Sequence, residues 1–318
     1  MLIQGLWIIV GFLLLIKGAD FLVDGSSNIA KKFHIPEIII GLTIVSIGTS
    51  MPELFVSITS AIDGYSDMAV GNIIGSNLCN LLLILGLSTV IKSIEFKKET
   101  RLIEIPITLF VTLALFVMCN IGSNITRIEG LILTILFVLF IGYTIYMAKK
   151  GEKFEKNDTV VEVQAKANIS IMKSILFIIL GIIGLKIGGD LVVNKSVLIA
   201  NAFGISEKVI SLTIIAIGTS LPELVTSVTA AIKGDSDIAI GNILGSNIFN
   251  ILLILGISSI ITPITYSISY NNQLLVLIIS TVLLAVFPFI GARNKMTRTN
   301  GIAYLIIYEI YMIGLFIV

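Results

Sequence analysis

The segment from Leu42 to Leu82, LTIVSIGTSMPELFVSITSAIDGYSDMAVGNIIGSNLCNLL, aligns without a gap to Leu212 to Leu252, LTIIAIGTSLPELVTSVTAAIKGDSDIAIGNILGSNIFNIL. More than half of the aligned positions are identical. Each copy is centred on a short polar stretch inside an apolar run, Gly48-Thr49-Ser50-Met51-Pro52-Glu53 and Gly218-Thr219-Ser220-Leu221-Pro222-Glu223. A charged residue at the centre of a membrane span costs roughly 2.5–3.5 kcal/mol, and a proline removes a helix hydrogen bond. Any fold for this chain must accommodate both features twice. Packing alone would preserve small and apolar character, whereas here particular hydroxyls, amides and acids recur.

The apolar setting extends through the chain: 56% of its 318 residues are hydrophobic and 13% are charged, with mean hydropathy +1.05. That balance belongs to a helical membrane protein. Hydropathy gives about ten spans, at 4–25, 36–62, 67–91, 101–120, 126–148, 170–197, 206–232, 237–261, 271–291 and 300–318. The first lacks the basic flank and small-residue cleavage site of a signal peptide and reads as a span. No appended soluble domain is expected. A polar stretch rich in Lys and Glu, Lys149 to Asn168, separates the halves. The expected organisation is a first five-helix repeat over 1–148, a cytoplasmic linker over 149–169 and a second five-helix repeat over 170–318.

Basic residues set the orientation. Loops after odd-numbered spans hold Lys31, Lys32, Lys92, Lys97, Lys98, Arg101, Lys149, Lys150, Lys153, Lys156, Lys166, Lys233, Arg293, Lys295 and Arg298. The other side holds little beyond Arg127 and Lys208. The positive-inside rule puts the first set in the cytoplasm and both termini outside a cell membrane (plasma or inner). An odd number of spans per half makes the second half enter from the opposite side. The fold class expected is therefore an all-α membrane protein of ten transmembrane helices in two inverted-topology repeats, as in many secondary transporters.

Pro52 lacks an N–H and its ring clashes with the Gly48 carbonyl, so the helix should loosen and free carbonyls near Ser46 to Thr49. Glu53 follows Thr49 and Ser50 by four and three residues, which places all three on one helical face. Carboxylate, hydroxyl and carbonyl oxygens suit calcium and sodium. Asn72, Ser76 and Asn80 form a drifting stripe at i, i+4 and i+8 on the third span, and Asn242, Ser246 and Asn250 repeat it. Gly71 with Gly75, and Gly241 with Gly245, form small-xxx-small pairs that permit close helix approach. In an inverted pair of repeats Glu53 and Glu223 would meet near the membrane midplane. Ser50 to Glu53 also fits a capping box, a role compatible with ion ligation.

Other chemistries find less support. The near-neutral charge and the lack of a basic, aromatic-interleaved stretch argue against nucleic acid. Cys79 and Cys119 lie in apolar spans, so no disulfide framework is expected, and His34 beside Lys31 and Lys32 reads as a solvated loop residue. Asp20 and Asp190 read as helix-end or interfacial groups, and Asp67 and Asp237 as complements to positive helix ends. Paired acids serve hydrolysis in acid dyads, but no nucleophile-and-base arrangement appears here. Neither an enzyme nor a bound cofactor is expected; the partners are ions and the lipid bilayer.

At GTSMPE…GNIIGSN and GTSLPE…GNILGSN the chain closely resembles the sodium/calcium exchanger family of the cation/calcium exchanger superfamily, in its compact prokaryotic form. The resemblance implies that Glu53 and Glu223 coordinate the transported Ca2+ and Na+, helped by Thr49, Ser50, Thr219 and Ser220. It also implies carbonyl ligands at Ser46 and Ala216, and contributions from Ser76, Asn80 and Ser246. Spans one and six are expected to slide as a pair. Asn250 stands where potassium-dependent relatives look to have an aspartate, which argues against a potassium requirement. The long cytoplasmic regulatory domains of animal members are missing, so regulation through one is not expected. The function implied is antiport of sodium against calcium by alternating access. Proton/calcium (or other divalent cation) exchange on the same fold is the alternative, with the glutamates as proton carriers.

Overall fold

Long apolar runs leave the backbone no partner but itself, and in this chain they wind into helices. The computed structural model describes residues 2–122, 124–158, 170–204, 216–290 and 294–317. Its helices are α1 (Leu2–Phe33), α2 (Glu37–Thr49), α3 (Met51–Ile62), α4 (Ser66–Ile91), α5 (Thr100–Gly122) and α6 (Arg127–Asp158). They continue with α7 (Ile171–Ala202), α8 (Ala216–Thr219), α9 (Leu221–Lys233), α10 (Ser236–Ile261), α11 (Ile268–Phe289) and α12 (Arg298–Ile317).

Among the described residues, seven helices are long and apolar enough to cross a bilayer: α1, α4, α5, α6, α7, α10 and α11. The broken pair α2 and α3, bent by 51° at Ser50, makes an eighth. The chain is thus an all-helical membrane protein. Of the two remaining expected spans, 206–232 begins outside the described residues, as does Lys208, and the rest of it is α8 and α9. The place of 300–318 is taken by the 20-residue α12. Helix α6 runs past Lys149 to Asp158, so the first part of the expected linker is helical; 159–169 lies outside the described residues. Outside the helices are two antiparallel ribbons of two residues per strand. Ile94–Glu95 pairs with Lys295–Met296, and Asn124–Ile125 with Ile264–Thr265.

The chain divides into two compact units, each drawing on both halves of the sequence: Met1–Thr49 with Leu139–Asn242, and Ser50–Val138 with Ile243–Val318. In the first unit α1 and α7 pack along their lengths. A Cβ at Gly11 would stand 2.9 Å from the Gly188 carbonyl oxygen, one at Gly18 2.9 Å from that of Gly181, and one at Gly25 2.7 Å from that of Ser174. The contacts step forward by seven residues on α1 and back by seven on α7, so the helices run antiparallel along a seam of small residues. Gly41 and Gly241 make a second close crossing, where an added Cβ on either would come within 2.9 Å of the other's Cα.

In the second unit one packing arrangement occurs twice. An added Cβ at Gly301 would stand 2.7 Å from the Gly86 carbonyl oxygen, and one at Gly256 3.2 Å from that of Gly130. Gly71 and Gly75 do not act as a seam. The Cβ of the first would meet the Tyr270 hydroxyl, and the second has nothing within 4 Å. Their near face is thus not turned onto another backbone. The best-buried spans are α4 and α10, with 78% and 83% of their most apolar windows inside the protein. These two carry the asparagine and serine stripes.

Candidate ion-binding site

Pro52 and Pro222 each fall at the second position of a helix, where the missing N–H does little harm. The preceding helices end at Thr49 and Thr219, and Ser50 and Ser220 stand at the N-cap positions of the helices that follow. Neither serine side chain makes a capping bond. One of the two N–H groups that a cap normally receives belongs here to proline and does not exist. The serine half of the expected capping box, Ser50 Oγ to the Glu53 N–H, is not formed.

In the first unit the site is built around Asn242, which is fully buried. Its Oδ1 accepts from Thr49 Oγ1 at 3.0 Å, and its Nδ2 donates to Ser227 Oγ at 2.9 Å and to the Glu223 carbonyl at 3.5 Å. One amide thus ties the GTS stretch of the first copy to the glutamate turn of the second. The Ser46 carbonyl, 3.3 Å from Thr49 Oγ1, is a second and longer acceptor within reach of the same hydroxyl proton. Ser46 Oγ donates back to the Leu42 carbonyl at 2.9 Å. Glu223 and Ser220 are buried and Thr219 is half-buried. Ala216 opens α8 at the edge of the described residues. Gly48 and Gly218 both face α7, where an added Cβ would collide with Ile182 and Val193 respectively.

In the second unit Asn72 repeats the brace. Its Nδ2 donates to Ser57 Oγ at 2.9 Å and to the Glu53 carbonyl at 3.3 Å. Asn72 and Asn242 therefore hold the glutamate turns, a role that their place in the stripes did not reveal. Glu53 is 1% exposed, and its Oε1 accepts from Ser76 Oγ at 3.4 Å. Ser50 Oγ donates to Ser246 Oγ at 2.9 Å. Deeper in α4 and α10 stand four asparagines, of which sequence reasoning found Asn80 and Asn250 and missed Asn77 and Asn247. Asn80 Nδ2 donates to Asn247 Oδ1 at 3.0 Å, and Asn250 Nδ2 to Asn77 Oδ1 at 2.9 Å. The helix turns widen to i→i+5 bonding at Cys79–Ile84 and Asn250–Leu255, a distortion frequent at functional positions.

Two oxygens decide what this arrangement can hold. Asn80 Oδ1 and Asn250 Oδ1 are buried and accept no hydrogen bond. Leaving a buried acceptor unsatisfied costs about 1–3 kcal/mol, and a desolvated cation is a partner that would offset this cost. Among the described residues no three His, Cys, Asp or Glu side chains come together, so the donors are hydroxyl, amide and single carboxylate oxygens. Such a set suits hard ions. Asp20, Asp24 and Asp190 are held by lysines instead: Asp20 and Asp24 bind Lys233 at 3.1 and 2.8 Å, and Asp190 binds Lys186 at 3.0 Å.

A family model described as "Sodium/calcium exchanger protein" matches residues 3–146 and 173–317. The chain is 37% identical to "Putative antiporter CaxA" of Alkalimonas amylolytica, over 99% of both chains. It is 30% identical to "Sodium/calcium exchanger MaX1" of Methanosarcina acetivorans, over 97% of both. A solved structure of the sodium-calcium exchanger NCX_Mj, soaked with 2.5 mM Na+ and 0.1 mM Ca2+, superposes with a TM-score of 0.86 at 33% identity, covering 99% of each chain.

Proposed function

Because the chain belongs to the sodium/calcium exchanger family, we propose that it is a secondary active antiporter that exchanges sodium for calcium by alternating access. The observation that carries this reading is the pair of buried amide oxygens without donors, Asn80 Oδ1 and Asn250 Oδ1, on the two best-buried spans. The relative MaX1 is named a sodium/calcium exchanger, and that name supports the same ions here.

Glu53 and Glu223 supply about two negative charges, which one calcium or two sodium ions neutralise. Thr49, Ser50, Thr219, Ser220, Ser76, Ser246, Asn80 and Asn250 add neutral oxygens, and Ser46 and Ala216 add carbonyls. Calcium and sodium compete for overlapping oxygens, so one ion leaves when the other enters. A third sodium would make the exchange electrogenic. The architecture proposed is ten spans in two inverted five-helix repeats, 1–148 and 170–318, joined through a cytoplasmic linker at 149–169, with both termini outside. The close backbone packing of α1 on α7 along their glycine seam supports their moving as one body.

The test is calcium-45 uptake into proteoliposomes loaded with sodium, compared with vesicles loaded with potassium or carrying only a proton gradient. Uptake should require internal sodium, and Glu53→Gln or Glu223→Gln should reduce it at least about 100-fold, since each removes half of the site's charge. Equal uptake on a proton gradient without sodium would replace sodium by protons as the coupling ion. The absence of any calcium movement would refute calcium as the substrate.

A further inference from the structure

On the reading above, Asn80 and Asn250 serve a cation through their amide oxygens. An asparagine side chain can present either its oxygen or its NH2 group after a half-turn, and only the first can bind a cation. Something must therefore set the orientation. The NH2 of Asn80 is taken by Asn247 Oδ1 at 3.0 Å, and that of Asn250 by Asn77 Oδ1 at 2.9 Å. A half-turn of either would press oxygen against oxygen.

The orientation of the second pair is fixed in turn by the backbone. Asn77 Nδ2 donates to the Asn247 carbonyl at 3.3 Å, and Asn247 Nδ2 to the Asn77 carbonyl at 3.4 Å. A backbone carbonyl can only accept, so the NH2 end of each must face it and the Oδ1 end must face away. Polarity thus passes from a backbone oxygen through Asn77 and Asn247 to Asn80 and Asn250. It ends with two amide oxygens that have no donor. All four side chains are 1% exposed, so bulk water does not compete for the bonds.

We propose that Asn77 and Asn247 are positioning residues that hold Asn80 and Asn250 oxygen-first toward the transported cation. The plainer role, hydrogen-bonded glue between two helices, needs only that the bonds exist. It gives no reason for the chain of bonds to end on the same atom in both copies. The two roles also differ in what they need from positions 77 and 247. Positioning needs an acceptor for the amide NH2, while glue to the backbone needs a donor.

The experiment is equilibrium calcium-45 binding to the purified full chain, with sodium competition, alongside half-saturation and maximal rate of uptake in proteoliposomes. Folding of every variant is checked by circular dichroism and gel filtration. Asn77→Leu and Asn247→Leu should weaken calcium binding about 10-fold, roughly 1.4 kcal/mol, while the maximal rate changes less. Asn77→Asp and Asn247→Asp keep the acceptor and should bind within about 3-fold of the parent or tighter. In an Asn80→Asp background both oxygens of the side chain are acceptors, so adding Asn247→Leu should weaken binding no further. Should a leucine variant not fold, Asn77→Ser and Asn247→Ser, too short to reach the opposite amide, take its place.

Folded leucine or serine variants that bind like the parent would overturn the inference. So would aspartate variants as weak as leucine ones, or losses that add fully in the double variant. A parent protein that binds neither calcium nor sodium would overturn the exchanger reading together with this one. Parent-like binding by the variants overturns only this one.

Discussion

Replacing Asn242 by leucine keeps its branched heavy-atom outline, with larger methyl ends, and removes its three hydrogen bonds. Two of these, to Thr49 Oγ1 at 3.0 Å and Ser227 Oγ at 2.9 Å, have good length, and the third, to the Glu223 carbonyl at 3.5 Å, is marginal. Side-chain bonds between membrane helices contribute about 0.6 kcal/mol on average and up to about 1.7 kcal/mol. Two good bonds thus predict a loss of roughly 1–3 kcal/mol. Thr49 can turn its freed hydroxyl proton to the Ser46 carbonyl 3.3 Å away, which limits the damage on that side. The chain carries its own reporter of unfolding, because Cys79 and Cys119 are both buried and outside any disulfide. A thiol-reactive dye added during a thermal ramp in detergent should light up several degrees earlier for Asn242→Leu than for the parent. Asn72→Leu, at the half-buried counterpart, should shift it less. An Asn242→Leu protein that melts with the parent, or later than Asn72→Leu, would refute the claim that this amide holds the first unit's site together.

Further outcomes follow from the first unit's packing and its surface charges. Gly18→Ala puts a methyl 2.8 Å from the Leu185 nitrogen and 2.9 Å from the Gly181 carbonyl oxygen, so the same dye assay should record about 1–3 kcal/mol of destabilisation. Gly5→Ala, with nothing within 4 Å, should be neutral or slightly stabilising. Equal melting of the two would mean that α1 and α7 are not closely packed. At Lys233, burial by itself lowers the ammonium pKa, but bonds to Asp24 and Asp20 outweigh it and the value is raised. Stability from a raised value is fully present below the ordinary lysine pKa of about 10.4 and fades as pH climbs through the folded one. The melting difference between parent and Lys233→Met should therefore stay flat from about pH 6 to 9 and close only above that.

The spans were legible because hydrophobicity over about 20 residues is a strong, local signal. The break at Ser50 was foreshadowed by Pro52, whose chemistry is equally local. The seam between α1 and α7 was not. Glycine is common in membrane helices, and Gly11, Gly18 and Gly25 acquire meaning only beside Gly188, Gly181 and Ser174, more than 140 residues away. Gly71 and Gly75 show the converse error. A small-xxx-small pair permits close approach, but it cannot say whether a backbone or a tyrosine side chain fills the space.

The asparagines illustrate how a helical stripe divides. Asn72 and Asn80 are eight residues apart, which on a helix of 3.6 residues per turn leaves them about 80° out of line. The drift suffices to send them to different neighbours. Asn72 reaches Glu53 and Ser57 on α3, while Asn80 reaches Asn247 on α10. Asn77, one residue from Ser76, stood off the stripe and so escaped notice. In the folded protein it shares with Asn80 the face toward Asn247, donating to the carbonyl while Asn80 donates to the amide oxygen. The spacing that joins them is i, i+3, one of the two spacings that bring helix side chains together. A reading confined to i+4 steps selects the proposed ligands Asn80 and Asn250. The residues proposed to position them lie on the neighbouring row, which in both copies supplies an asparagine three residues earlier.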